Sequence, residues 1–137
     1  MSRAAIIVTT IVISTLSFSS FSRAASDEEI NGLGDKMSGA FRCSTYAQLM
    51  HDQKEQQRLF QIGLKAGRDY VEGLKSRDDP TSEMLTFIRG VSTDFVVGQL
   101  YESESTHAYD EIAKLDASEA KTQAERSYRN GNCSLIN

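Results

Sequence analysis

Tryptophan is absent, proline occurs once, and cysteine and histidine occur twice each in this 137-residue chain. Each scarcity excludes something. Two cysteines rule out a disulfide-dense scaffold and a four-cysteine zinc site. Two histidines leave little basis for a histidine-triggered pH switch. A single proline, Pro80, leaves long stretches free to run as uninterrupted helices. Val and Ile are sparse, and no alternating runs flank hairpin turns, so nothing favours strands. No apolar run after Phe18 approaches the roughly 20 residues of a spanning helix.

Bases are also in the minority, at 15 Lys and Arg against 19 Asp and Glu. That balance argues against a nucleic-acid partner and against an anionic membrane surface. It suits solubility or a basic protein partner. Motifs of chemistry are missing as well: there is no GxSxG, HExxH, phosphate loop or calcium loop. No catalytic residue and no cofactor are therefore expected, and the chain does not read as an enzyme.

What is present begins at the N-terminus. A short basic segment with Arg3 leads into an uncharged apolar run from Ala4 to Phe18. Small and polar residues follow, and the first acids are Asp27, Glu28 and Glu29. This is the three-part layout of a secretory signal peptide. Cleavage is expected after Ala24, with Ser22 and Ala24 as the small residues at the −3 and −1 positions. A retained anchor is the alternative, but the run is short and diluted by Thr and Ser. Cleavage would remove Arg3 and Arg23 and no acid, taking the formal charge from −4 to −6. The reading is a signal peptide over 1–24 and a single helical domain over 25–137, exported to the periplasm or beyond, with no membrane association after cleavage.

Export explains the cysteines. An oxidising compartment permits a Cys43–Cys133 bridge closing most of the domain. Two buried thiols, or a bridge between two copies, are the competing readings. Metal binding by the pair is not expected, because there is no CxxC and no nearby histidine. Asn132-Cys133-Ser134 fits a glycosylation acceptor pattern, although an early bridge would block access.

The helices follow from capping signals and apolar spacing. Ser26 and Glu29 form a capping box, and Ile30, Leu33, Met37, Ala40 and Phe41 continue at helical steps. That helix either runs on past Cys43 or breaks near Ser44. From Asp52 to Lys75 a clean stripe includes Leu59, Phe60, Leu64, Tyr70, Val71 and Leu74. Gly63 and Gly67 lie on that stripe, four residues apart. Such glycines let another backbone come close, so a tight helix crossing is expected there; a ligand pocket is the alternative. Asp79 and Pro80 suggest a helix start, with Met84, Leu85, Ile88 and Val91 facing inward. Ser92 or Thr93 begins another helix, apolar through Phe95, Val96 and Tyr101 and expected to be the most buried. His107, Tyr109, Ile112 and Leu115 carry its pattern on. Asp116 caps a last, charged surface helix that Asn130-Gly131 ends in a left-handed cap. The fold class is all-α: a small bundle of four to five helices braced by one disulfide.

Candidate site residues are few. Glu102, Glu104, His107, Asp110 and Glu111 form an acidic segment that could contact a partner, and the turn from Arg77 to Thr81 is a second contact candidate. His51 with Glu55, and His107 with Glu111, are each four apart and would each share a helix face. Convergence of the two faces would be needed for a metal site, and none is assigned. The leading function is a small exported protein that binds another protein, such as a basic envelope protein, in the manner of an inhibitor or immunity factor. A homodimer is a further partner candidate. The alternatives are an acid- or stress-responsive periplasmic chaperone and a small-ligand carrier.

Overall fold

The computed structural model describes residues 25–137. The signal peptide expected over 1–24, with its cleavage point, lies outside the described residues. Five helices follow in order: α1 (Asp27–Leu49), α2 (Gln53–Lys75), α3 (Glu83–Gly90), α4 (Thr93–Asp110) and α5 (Ala117–Asn130). A 3₁₀ turn, Cys133–Leu135, closes the chain.

Helix α1 starts where the sequence puts it. The Ser26 hydroxyl accepts from the Glu29 amide at 3.2 Å, and the Glu29 carboxylate accepts from the Ser26 amide at 2.7 Å. Both otherwise unpaired groups of the first turn are thereby satisfied. The helix does not break at Ser44. Its hydroxyl instead donates to the Gln56 carbonyl on α2 at 3.0 Å, so the polar side chain ties two helices together.

A three-residue corner turns α1 into α2, and the two pack antiparallel. The seam is built on glycines. A methyl placed on Gly63 would lie 2.5 Å from the Phe41 ring, and one on Gly67 would lie 3.0 Å from Val97 and 3.1 Å from the Met37 sulfur. Gly73 receives Ile30 and Gly34 receives Tyr70 in the same way, at 3.0 and 3.1 Å. Close approach of this kind is what each glycine provides, at about 1 kcal/mol of helix propensity relative to alanine.

Helix α4 lies against both α1 and α2, α5 covers α1, and α3 leans on the end of α2. Two apolar clusters result. One gathers Ile30, Met37, Phe41, Val71, Leu85, Ile88 and Val97; the other gathers Cys43, Tyr46, Ala47, Leu59, Ala108, Ile112, Ala124 and Cys133. Full burial of a side chain such as Phe41 or Leu59 contributes about 1.5–3 kcal/mol. Phe41, Phe60 and Tyr101 meet in tilted and edge-on pairs with centroids 5.1–6.0 Å apart. Thr45 and Ser105 share a hydrogen bond at 3.2 Å in the buried contact between α1 and α4.

The Cys43–Cys133 disulfide joins α1 to the terminal 3₁₀ turn, with Cα atoms 5.5 Å apart. A disulfide fits an oxidising compartment. No helix among the described residues is long and apolar enough to cross a membrane.

Four local expectations are corrected. Helix α3 begins at Glu83 with Ser82 as its cap, not at Pro80, because the Asp79 carboxylate is already taken by the amide and hydroxyl of Thr81. Met84 is exposed rather than inward-facing. The most buried helix is α1, not α4: Phe95 and Tyr109 are exposed, and Leu115 lies in an exposed turn. The left-handed residue at the end of α5 is Asn132 (φ 50°), while Gly131 keeps φ −76°.

Candidate acidic cleft

Two helices, α1 and α4, frame a cleft of about 490 Å³ lined by Arg42, Glu104, His107, Asp110 and Glu111. Arg42 comes from α1 and the others from α4 and its C-terminal cap. A second cleft of about 510 Å³ shares Arg42 and Glu111 and extends past Cys43, Tyr46 and Ser127 to Gly131. The two form one surface depression, with the disulfide at its far side.

Helical spacing places these groups together. Glu104, His107 and Glu111 succeed each other at three- and four-residue steps, so they share the side of α4 that turns toward α1. There α1 supplies Arg42, whose Nε donates to Glu104 Oε2 at 2.7 Å. One turn on, the Tyr46 hydroxyl donates to Glu111 Oε2 at 2.9 Å. Burial, followed by that bond to Glu111, pushes the Tyr46 hydroxyl up to about 12. It therefore stays a donor throughout the ordinary pH range. Thr45 and Ser105, next in sequence to Tyr46 and Glu104, are bonded to each other in the buried contact between α1 and α4.

The charge balance of this depression is lopsided. Four carboxylates, Asp35, Glu104, Asp110 and Glu111, line it with one arginine, and Glu104 already engages that arginine. A lysine or arginine from outside would find Asp110 and Glu111 without a cation partner among the described residues.

Of the sequence candidates, Glu104, His107, Asp110 and Glu111 are brought together. Glu102 is not: it lies on the opposite side of α4, exposed. The turn from Arg77 to Thr81 is tied up internally. Arg77 pairs with Asp27 at 2.9 Å, and its carbonyl accepts from Arg89. Arg42 and Tyr46 were not anticipated, since they lie 62 and 65 residues from their partners.

The two His–Glu pairs do not converge. His51 sits in the corner between α1 and α2 with φ 64°, off any helix face. Glu55 is committed elsewhere, accepting from Arg58 Nε and Nη2 at 2.8 and 2.7 Å and from the Tyr128 hydroxyl. Among the described residues, no three His, Cys, Asp or Glu side chains group as metal ligands would.

That Glu55 cluster has its own work. Arg58 donates to the carbonyls of Ile136 at 2.6 Å and Cys133 at 3.3 Å. It thus clips the tail onto α2 beside the disulfide. Arg58 holds the Glu55 carboxyl down to about 2, while burial and Glu55 together raise the Tyr128 hydroxyl to about 12.

No family model matches the chain, and neither a curated protein nor a solved structure is significantly similar to it.

Proposed function

We propose that this chain is a small exported helical protein that binds a basic protein of the cell envelope and acts as an inhibitor- or immunity-type factor. The reading is carried by the excess of carboxylate in the cleft between α1 and α4. A protruding lysine or arginine of the partner would enter it, meeting Asp110 and Glu111 while Glu104 stays on Arg42. Complementary charge would raise the encounter rate and fix the register. The disulfide and the Arg58 clip hold the C-terminal tail at the side of the depression, so little ordering would accompany binding. The signal-like N-terminus and the disulfide support an oxidising location.

The ligand-carrier alternative has less support, because Phe41, Met37 and Val97 occupy the space over Gly63 and Gly67. The test is direct binding of the purified, oxidised protein to a panel of immobilised basic envelope hydrolases over a salt series. The expected result is at least one hydrolase bound and inhibited, with affinity falling as salt rises. An Asp110→Lys variant should lose about tenfold or more of that affinity. Binding indifferent to Asp110→Lys and to salt would overturn the reading.

A further inference from the structure

The dipeptide Asn-Gly occurs twice, at Asn31-Gly32 and Asn130-Gly131, and each of these residues is exposed. The pair carries its own chemistry. The glycine nitrogen attacks the asparagine Cγ and closes a cyclic imide, its proton leaving with the side-chain nitrogen as ammonia. Water then opens the imide to aspartate or, at the other carbonyl, to isoaspartate. Glycine permits this best, because no Cβ hinders the approach or the turned backbone.

The two sites differ in what holds them. Asn31 lies inside α1, with helix on both sides. Ring closure there swings a peptide plane out of its helical setting and breaks hydrogen bonds on both flanks. Asn130 is the last residue of α5, where helices fray. The Gly131 amide donates to the Ser127 carbonyl at 2.9 Å, and Asn132 then takes the left-handed setting that leads into Cys133. The disulfide pins this end. A methyl placed on Gly131 would lie 3.3 Å from the Cys133 Sγ and 3.7 Å from the Cys43 Sγ, so the bridge rests against the reacting glycine and ties it to α1. The Arg58 clip acts on the carbonyls of Cys133 and Ile136, beyond the reacting bond.

We propose that Asn130 is a self-modification site guarded by the Cys43–Cys133 bridge: once the bridge is opened, Asn130 converts to aspartate and isoaspartate while Asn31 stays intact. Opening needs a dithiol reductant, which closes to its own cyclic disulfide as the bridge becomes two thiols. The end of α5 then frays, and the Gly131 nitrogen leaves Ser127 and reaches the Asn130 side chain. The product carries a carboxylate where the amide stood, on the wall of the depression that Asn130 and Gly131 share with Arg42, Tyr46 and Glu111. Reduction of the bridge is reversible; this change is not, so it records that the bridge has been open. Nothing in the step depends on what the depression binds.

Peptide mapping by mass spectrometry tests this, on oxidised protein and on protein kept reduced by a dithiol, incubated in parallel. The expected result is conversion at Asn130 about tenfold or more faster in the reduced sample, the gain set by easier local opening. Asn31 should convert slowly in both. The Cys43→Ser, Cys133→Ser double variant, with no reductant present, should match reduced wild type. Asn31 also reports on the fold, since a chain that unfolds throughout exposes both pairs alike. Conversion at Asn130 that is as fast with the bridge closed would overturn the proposal. So would an Asn130 that stays unchanged after reduction, or an Asn31 that keeps pace with it.

Discussion

The Phe41 ring lies directly on Gly63, closer than any Cβ could tolerate. This contact joins α1 to α2 at the level where Phe60 and Tyr101 also meet the ring. The expected effect of Gly63→Ala is therefore opposite to what helix propensity alone suggests. Overpacking should cost about 1–3 kcal/mol, outweighing the roughly 1 kcal/mol that alanine gains in a helix. Gly32→Ala supplies the contrast: it is exposed with no neighbour near its missing Cβ, and it should gain up to about 1 kcal/mol. Urea unfolding of both variants checks the pair.

Removing the Cys43–Cys133 bridge should lower stability by about 2–4 kcal/mol, since it closes a span of 90 residues. The Cys43→Ser, Cys133→Ser double variant measured beside reduced wild type gives the number. Agreement of the two would place the effect in the bond itself rather than in the serines.

Acid should act through Glu55. Its folded value is held near 2 by Arg58, against 4.5 for the free group. The unfolded chain therefore takes up the proton first as pH falls. The contribution is fully present above about pH 4.5 and is lost as pH drops toward 2. Arg58 is about one-third exposed, so solvent screening limits the effect to on the order of 1–2 kcal/mol. Glu55→Gln should flatten that part of the stability–pH curve, and peptide hydrogen exchange of residues 133–137 should quicken in the same variant.

Alkali should act through Tyr46 and Tyr128. Both hydroxyls are held up to about 12 from a free value of 10. Stability tied to them is present below pH 10 and disappears by about pH 12. Tyr46→Phe should cost about 1 kcal/mol at neutral pH by deleting the bond to Glu111. A phenolate absorbance titration should then show one late-titrating tyrosine fewer.

The helices that announce themselves do so through short-range chemistry. Ser26 with Glu29, and Asp116, cap as their neighbours suggest, because each needs only a backbone amide two or three residues away. The disulfide was legible from cysteine number and the expected compartment. The start of α3 was not, because Asp79 has two local uses and the turn with Thr81 takes precedence over capping. Burial of α1 was hidden by its residue types. Ser44 and Thr45 look like surface residues, yet each is buried and satisfied by a partner on another element or turn. The acidic half of the cleft could be read from α4 alone. Its floor could not, since Arg42 and Tyr46 reach it only through the packing of α1 on α4.

The bridge also divides the chain mechanically. A pull on the two ends can straighten only the residues before Cys43 and the few after Cys133, because the S–S bond carries the load past everything between. Stretched with optical tweezers, the oxidised protein should give one short extension as the start of α1 peels away. The remaining helices would lengthen only after a reductant is added, so a protein held in an oxidising space keeps most of its structure out of reach of any machine that draws it by its ends.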